Sequence, residues 1–122
     1  MLTILNALKN NIQAEGCYPY VGPITLLNSN SNDYPLIWVQ FEDASWDGEA
    51  VLDYRFSIYY MEVVTPEVSP EEVQDRGIKT LARVLDDFEF SNAVFTPFIQ
   101  EFSDVCSGVV LDVTIYNSTN KC

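Results

Sequence analysis

Five carboxylates crowd one short stretch of the chain: Glu42, Asp43, Asp47, Glu49 and Asp53. Hard cations such as Ca²⁺ and Mg²⁺ take clustered carboxylate oxygens, so cation binding is the first chemistry to weigh. The spacing lacks the alternating acids around a glycine that an EF-hand loop requires. Paired carboxylates also serve as acid and base in glycoside hydrolysis, but that reaction needs them on two walls of a cleft, and one loop supplies one wall. A solvated turn accounts for the same residues. Trp46, set among the acids, points instead to contact with another protein, because aromatic anchors dominate interface energies.

The remaining reactive side chains add little. There is no histidine, which removes Ser-His and Cys-His triads and any His-ligated zinc site. Cys17, Cys106 and Cys122 share no metal-ligand spacing, and the first two read as small hydrophobes. Tyr18, Tyr20, Tyr54, Phe56, Tyr59 and Tyr60 would stack on nucleic-acid bases only with cations between the rings, and Arg55 stands alone there. They read as core and cross-strand pairs. Asp86, Asp87 and Glu89 close a helical segment, where acids oppose the negative helix end; that suits either a frayed end or a basic partner nearby. No Gly-rich phosphate loop or nucleophile elbow occurs. The expectation is a protein without catalysis, cofactor or metal.

Charge sharpens this. Six Lys and Arg face eighteen Asp and Glu in 122 residues, a formal net charge of −12. Six scattered cations cannot build the basic patch that displaces counterions from phosphates, so nucleic acid and anionic membrane surfaces are excluded as ligands. The longest apolar runs fall far short of the ~20 residues a membrane helix needs. The opening segment lacks the basic start and apolar core of a secretory signal, which predicts a reducing, cytoplasmic setting. Hydrophobic residues at 48% suffice for a core without staples.

The elements that position these residues follow from periodicity. Leu2, Ile4, Leu5, Leu8 and Ile12 recur at helical spacing, predicting an amphipathic helix over Leu2–Ala14 that ends near Gly16. Its apolar stripe, Leu5 and Leu8 included, faces a core or a neighbouring subunit. Cys17–Leu27, broken by Pro19, Gly22 and Pro23, reads as extended chain or an edge strand, and Asn28–Asp33 as a polar loop. Pro35–Glu42 and Val51–Val64 alternate and are rich in aromatic and β-branched residues. They predict a long antiparallel hairpin with Asp47-Gly48 at its tip.

Ser69-Pro70-Glu71-Glu72 is a helix start, with an N-cap serine, a first-turn proline and acids at the positive end. It opens a helix over Pro70–Phe88 with Val73, Ile78, Leu81, Leu85 and Phe88 inward. Asn92–Pro97 reads as a connection, Phe98, Ile99 and Phe102 as a short strand or helical turn, and Cys106-Ser107-Gly108 as a turn into a last strand, Val109–Asn117. The sum is an α+β fold in one domain over residues 1–122: a mainly antiparallel sheet with both helices on one face.

This order resembles the tail terminator and head–tail joining proteins of tailed bacteriophages and their minor tail relatives. The likeness rests on the amphipathic first helix, the strand Tyr34–Val39, the long hairpin, the helix Val73–Phe88 and the closing strand Gly108–Ile115. It implies a structural virion protein, made in the host bacterial cytoplasm, forming a hexameric or dodecameric ring at the head–tail junction or in the tail. Portal, connector or tail-tube proteins would be its neighbours, and DNA would pass an acidic lumen without specific binding. Such a ring needs two different patches per subunit; Leu5, Leu8, Asp43, Trp46, Asp47 and Glu49 are the expected contact residues. The alternative from composition is an acidic inhibitor or immunity-type protein, a DNA mimic, bound to a basic enzyme by charge complementarity.

Overall fold

Ile4, Leu8 and Ile12 stand four residues apart and are the buried stripe of the first helix, α1 (Leu2–Ala14). The computed structural model describes residues 2–22, 35–46, 48, 51–101 and 105–118. After α1 come β1 (Tyr18–Val21), β2 (Leu36–Trp46), β3 (Val51–Val63), α2 (Pro70–Val84), β4 (Phe90–Glu101) and β5 (Val105–Ser118). The strands form one sheet in the order β1-β2-β3-β5-β4. β1 runs parallel to β2, and the other three pairs are antiparallel. The fold is α+β with a mainly antiparallel sheet.

Both helices lie on one face of the sheet. There Ile4, Leu8 and Ile12 of α1 and Val73, Leu81 and Val84 of α2 pack with Ile37, Val39, Phe56, Ile58, Tyr60, Val109, Leu111, Val113 and Ile115. Leu8 is 0% exposed. It is therefore a residue of its own subunit's core, and its expected place in an intersubunit contact is corrected; Leu5 is half-buried at the margin of the same cluster.

Ser69 caps α2 as its sequence indicates, its Oγ accepting from the Glu72 N–H at 3.2 Å. The helix stops at Val84 rather than Phe88. Leu85 leaves helical geometry (φ −92°, ψ 0°), the freed Val84 carbonyl accepts from Asn11 Nδ2 of α1 at 2.9 Å, and Asp86-Asp87 disfavour continuation of the dipole. Ile78 is 39% exposed, whereas Gly77 and Thr80 face the sheet. Gly77 sits so close to β3 and β5 that an added Cβ would lie 2.7 Å from Tyr60 Cδ1 and 2.8 Å from Val109 Cγ1. Gly77→Ala is expected to destabilise by about 1–3 kcal/mol, the usual effect of overpacking, although alanine is the better helix former. A thermal melt followed by circular dichroism reads this directly.

Two other sequence expectations change. Phe90–Glu101 is one edge strand, not a connection and a short element, and an edge strand accepts its Pro97. Cys106-Ser107-Gly108 lies within β5. Ser107 is buried on the helix side, donating to Pro70 O at 3.1 Å and accepting from Gln74 Nε2 at 3.3 Å.

β3 is tied to α2 by a polar link. The Tyr60 hydroxyl donates to Glu62, and Arg76 Nε and Nη2 donate to the same carboxylate at 2.8 and 3.1 Å. Burial pushes the Glu62 carboxyl up, yet the Arg76 guanidinium and the Tyr60 hydroxyl together bring it below the usual carboxylate range. A carboxyl with a lower pKa folded than unfolded stabilises the fold above its unfolded pKa, and this is lost as pH falls through the folded value. Wild type is therefore expected to exceed Glu62→Gln in stability at pH 7, with the gap closing at acid pH. Urea unfolding of both proteins across that range measures it.

Candidate interaction surface

The second face of the sheet carries neither helix, and its side chains form rungs that cross four strands. In order along the sheet these are Leu36–Met61–Gly108–Phe98, Trp38–Tyr59–Val110–Thr96, Gln40–Ser57–Asp112–Val94 and Asp43–Arg55–Thr114–Ser91. Period-two alternation puts every second residue of each strand here. The first rungs are apolar and closed: Leu36, Trp38, Met61 and Cys106 are buried. Trp38 stacks on Tyr59 at a centroid distance of 4.1 Å, and Tyr59 meets the Phe98 ring edge-on at 6.0 Å. Trp38 and Tyr59 thus pack as a cross-strand pair.

Toward the hairpin end the same face opens and becomes acidic. A bulge between Phe41 and Asp43 sets Asp43 opposite Arg55, so that Arg55 Nε and Nη2 donate to both Asp43 oxygens at 3.1 and 2.6 Å. This hydrogen-bonded cation lowers the Asp43 carboxyl below its ordinary pKa. Gln40 Nε2 donates to Glu42 at 2.9 Å, and Ser57 Oγ, 6% exposed as a residue, donates to Asp112 at 2.9 Å. Burial raises the Tyr59 hydroxyl pKa, and the charges of Glu42 and Asp112 raise it further, so these two acids act on one point of the face. Asp53 Oδ1 is buried with no hydrogen-bond donor. Val94, 57% exposed, stands beside Asp112 on β4.

The hairpin's other face is aromatic. Phe41 lies 5.7 Å from the Phe56 ring and 6.3 Å from that of Tyr54. Phe41 is 39% and Trp46 62% exposed. The hairpin tip thus separates its expected contacts, with Asp43 on the helix-free face and Trp46, opposite Leu52, on the other. Asp47 and Glu49 lie outside the described residues.

Among the described residues, both outer edges of the sheet carry features that discourage strand addition. β1 pairs only with Leu36–Val39 of β2, so among the described residues Gln40–Trp46 has no strand on that side, but it holds the bulge and the acids. On β4, the Tyr116 N–H donates to Glu89 O at 2.9 Å, which puts even-numbered β5 residues in bonding register with β4. Pro97, opposite Val109, accordingly turns its donorless nitrogen to the outer edge. A second bulge between Ser91 and Val94, with Asn92 at φ 55°, bends the same strand.

A shallow groove of about 230 Å³ lies between the helix C-termini, lined by Asn11, Ala14, Glu15, Arg83, Asp86 and Asp87. Arg83 Nε donates to Glu15 at 2.7 Å and Asn11 Nδ2 to Asp87 at 3.0 Å. Among the described residues no three His, Cys, Asp or Glu side chains gather in a way that could hold a metal ion, and no helix is long and apolar enough to cross a membrane. What these surfaces present is charge, hydrogen-bonding groups and exposed apolar side chains. No known family model and no curated protein matches the chain.

Proposed function

We propose that this chain is a building block without catalytic activity, which joins copies of itself head to tail into a ring of six or twelve at the head–tail junction or in the tail of a tailed bacteriophage. Portal, connector or tail-tube proteins are its neighbours, and the acid surplus keeps DNA moving through the lumen without specific binding. One observation carries the reading: exposed apolar side chains lie in two unlike patches on opposite flanks of the sheet. Phe41 and Trp46 occupy the hairpin flank, and Phe90 and Ile99, opposite Ile115 and Ser107 on the helix side, the β4 flank. A closed ring is made by such heterologous contacts, whereas a twofold dimer uses one patch twice. The blocked edges favour contact through side chains over extension of the sheet. The element order that carries the resemblance to tail terminators supports the same assignment.

Native mass spectrometry of the full chain tests it through complementation. Trp46→Glu damages one patch and Ile99→Glu the other, so each alone is expected to abolish the ring. Mixed, the two retain one intact pair of patches and stop at a heterodimer. A wild-type chain that stays monomeric at all concentrations, or variants that show no pairing on mixing, would overturn the ring.

A further inference from the structure

We infer that the open, helix-free end of the sheet is a docking face for an arginine- or lysine-bearing segment of a different protein. Its centre is the rung Gln40–Ser57–Asp112–Val94, flanked by Glu42. Glu42, Asp112, Thr96 and Val94 are exposed. The face therefore offers Asp112 directly beside the apolar Val94 and a second carboxylate, Glu42, at its β2 side, groups that suit the charged heads and aliphatic stems of long basic side chains.

Charge accounting selects the occupant. The one described cation on this face, Arg55, is held by Asp43 at 2.6 Å. Elsewhere Arg76 pairs with Glu62, Lys79 with Asp75 and Arg83 with Glu15, and Lys9 lies on α1, across the sheet. A second copy would bring the same surplus of −12 with four of its cations, Arg55, Arg76, Lys79 and Arg83, already paired, so like charges would oppose each other. A nucleic acid or anionic membrane is repelled for the same reason. A basic protein segment remains. Charge complementarity steers encounter and selects partners. The inference stands apart from the ring, whose contacts use Phe41, Trp46, Phe90 and Ile99 on the sheet's other face.

The test uses the full-length protein and an octapeptide alternating arginine with valine as probe, with an alternating glutamine–valine peptide as control. Amide chemical-shift changes are expected to concentrate on Gln40, Glu42, Ser57, Thr96 and Asp112, and to vanish with the control peptide. Glu42→Gln/Asp112→Asn is expected to weaken binding about tenfold, whereas Glu71→Gln/Glu72→Gln, the same charge change on α2, alters it less than about twofold. Glu42→Gln alone, at an exposed position, repeats the effect in a background whose fold is undisturbed. Shifts spread evenly over all acids, an equal loss in the α2 variant, or a DNA duplex or second copy occupying the face would overturn the docking site.

Discussion

Gly108→Ala is expected to leave no stably folded protein, with a loss above about 4 kcal/mol, the range reserved for gross steric or core defects. A Cβ built at Gly108 would lie 1.7 Å from the Tyr60 carbonyl oxygen, 2.8 Å from its carbon and 3.2 Å from Met61 Cα. All three are backbone atoms of β3, the central partner strand, and none can rotate away. Relief requires β5 to move off β3. That pair is the longest in the sheet, from Val51↔Ser118 to Val63↔Cys106. Gly16→Ala is the matched control: Gly16 has φ +77° and nothing within 4 Å of an added Cβ, so only the left-handed backbone resists, at about 1–2 kcal/mol. Soluble yield and circular dichroism of the two variants separate close approach from backbone strain.

Leu8→Ala is expected to destabilise by about 2–5 kcal/mol, as other buried leucine truncations do. Leu8 is 0% exposed between α1 and the sheet, in the cluster that holds Ile4, Ile12, Val39 and Ile58. Because the pocket belongs to one chain, the loss should be independent of protein concentration. A loss that appeared only where copies associate would place α1 on a neighbour instead. Urea unfolding at two widely separated concentrations distinguishes the outcomes. Leu5→Ala, at the half-buried margin, should lose less.

Local chemistry made several elements readable before any packing was known. The Ser69 cap, the proline after it and the first-turn acids act within one helical turn, so the start of α2 was legible. The alternation of Ile37, Val39, Phe56 and Ile58 against Trp38, Tyr59 and Met61 likewise assigned β2 and β3 residues to their two faces. β4 was less legible, since Asn92 and Pro97 are breakers within an isolated segment. They become admissible only where a strand has one neighbour and a free edge. The inward turn of Gly77 in place of Ile78 was hidden for a similar reason: a missing side chain attracts a helix only when Tyr60 and Val109 stand opposite it.

The candidate surface divides along the same line. Composition alone fixed the acid surplus, the lack of histidine and the shortage of cations, because these are sums over the chain. It could not say which acids would meet. Glu42 and Asp112 are seventy residues apart, and they share a face only because β5 is inserted between β3 and β4. Arg55 neutralises Asp43 only because a bulge shifts the register by one residue. Chain order determined the kinds of groups present and their local elements; strand order and register, set by long-range packing, decided which of them stand side by side.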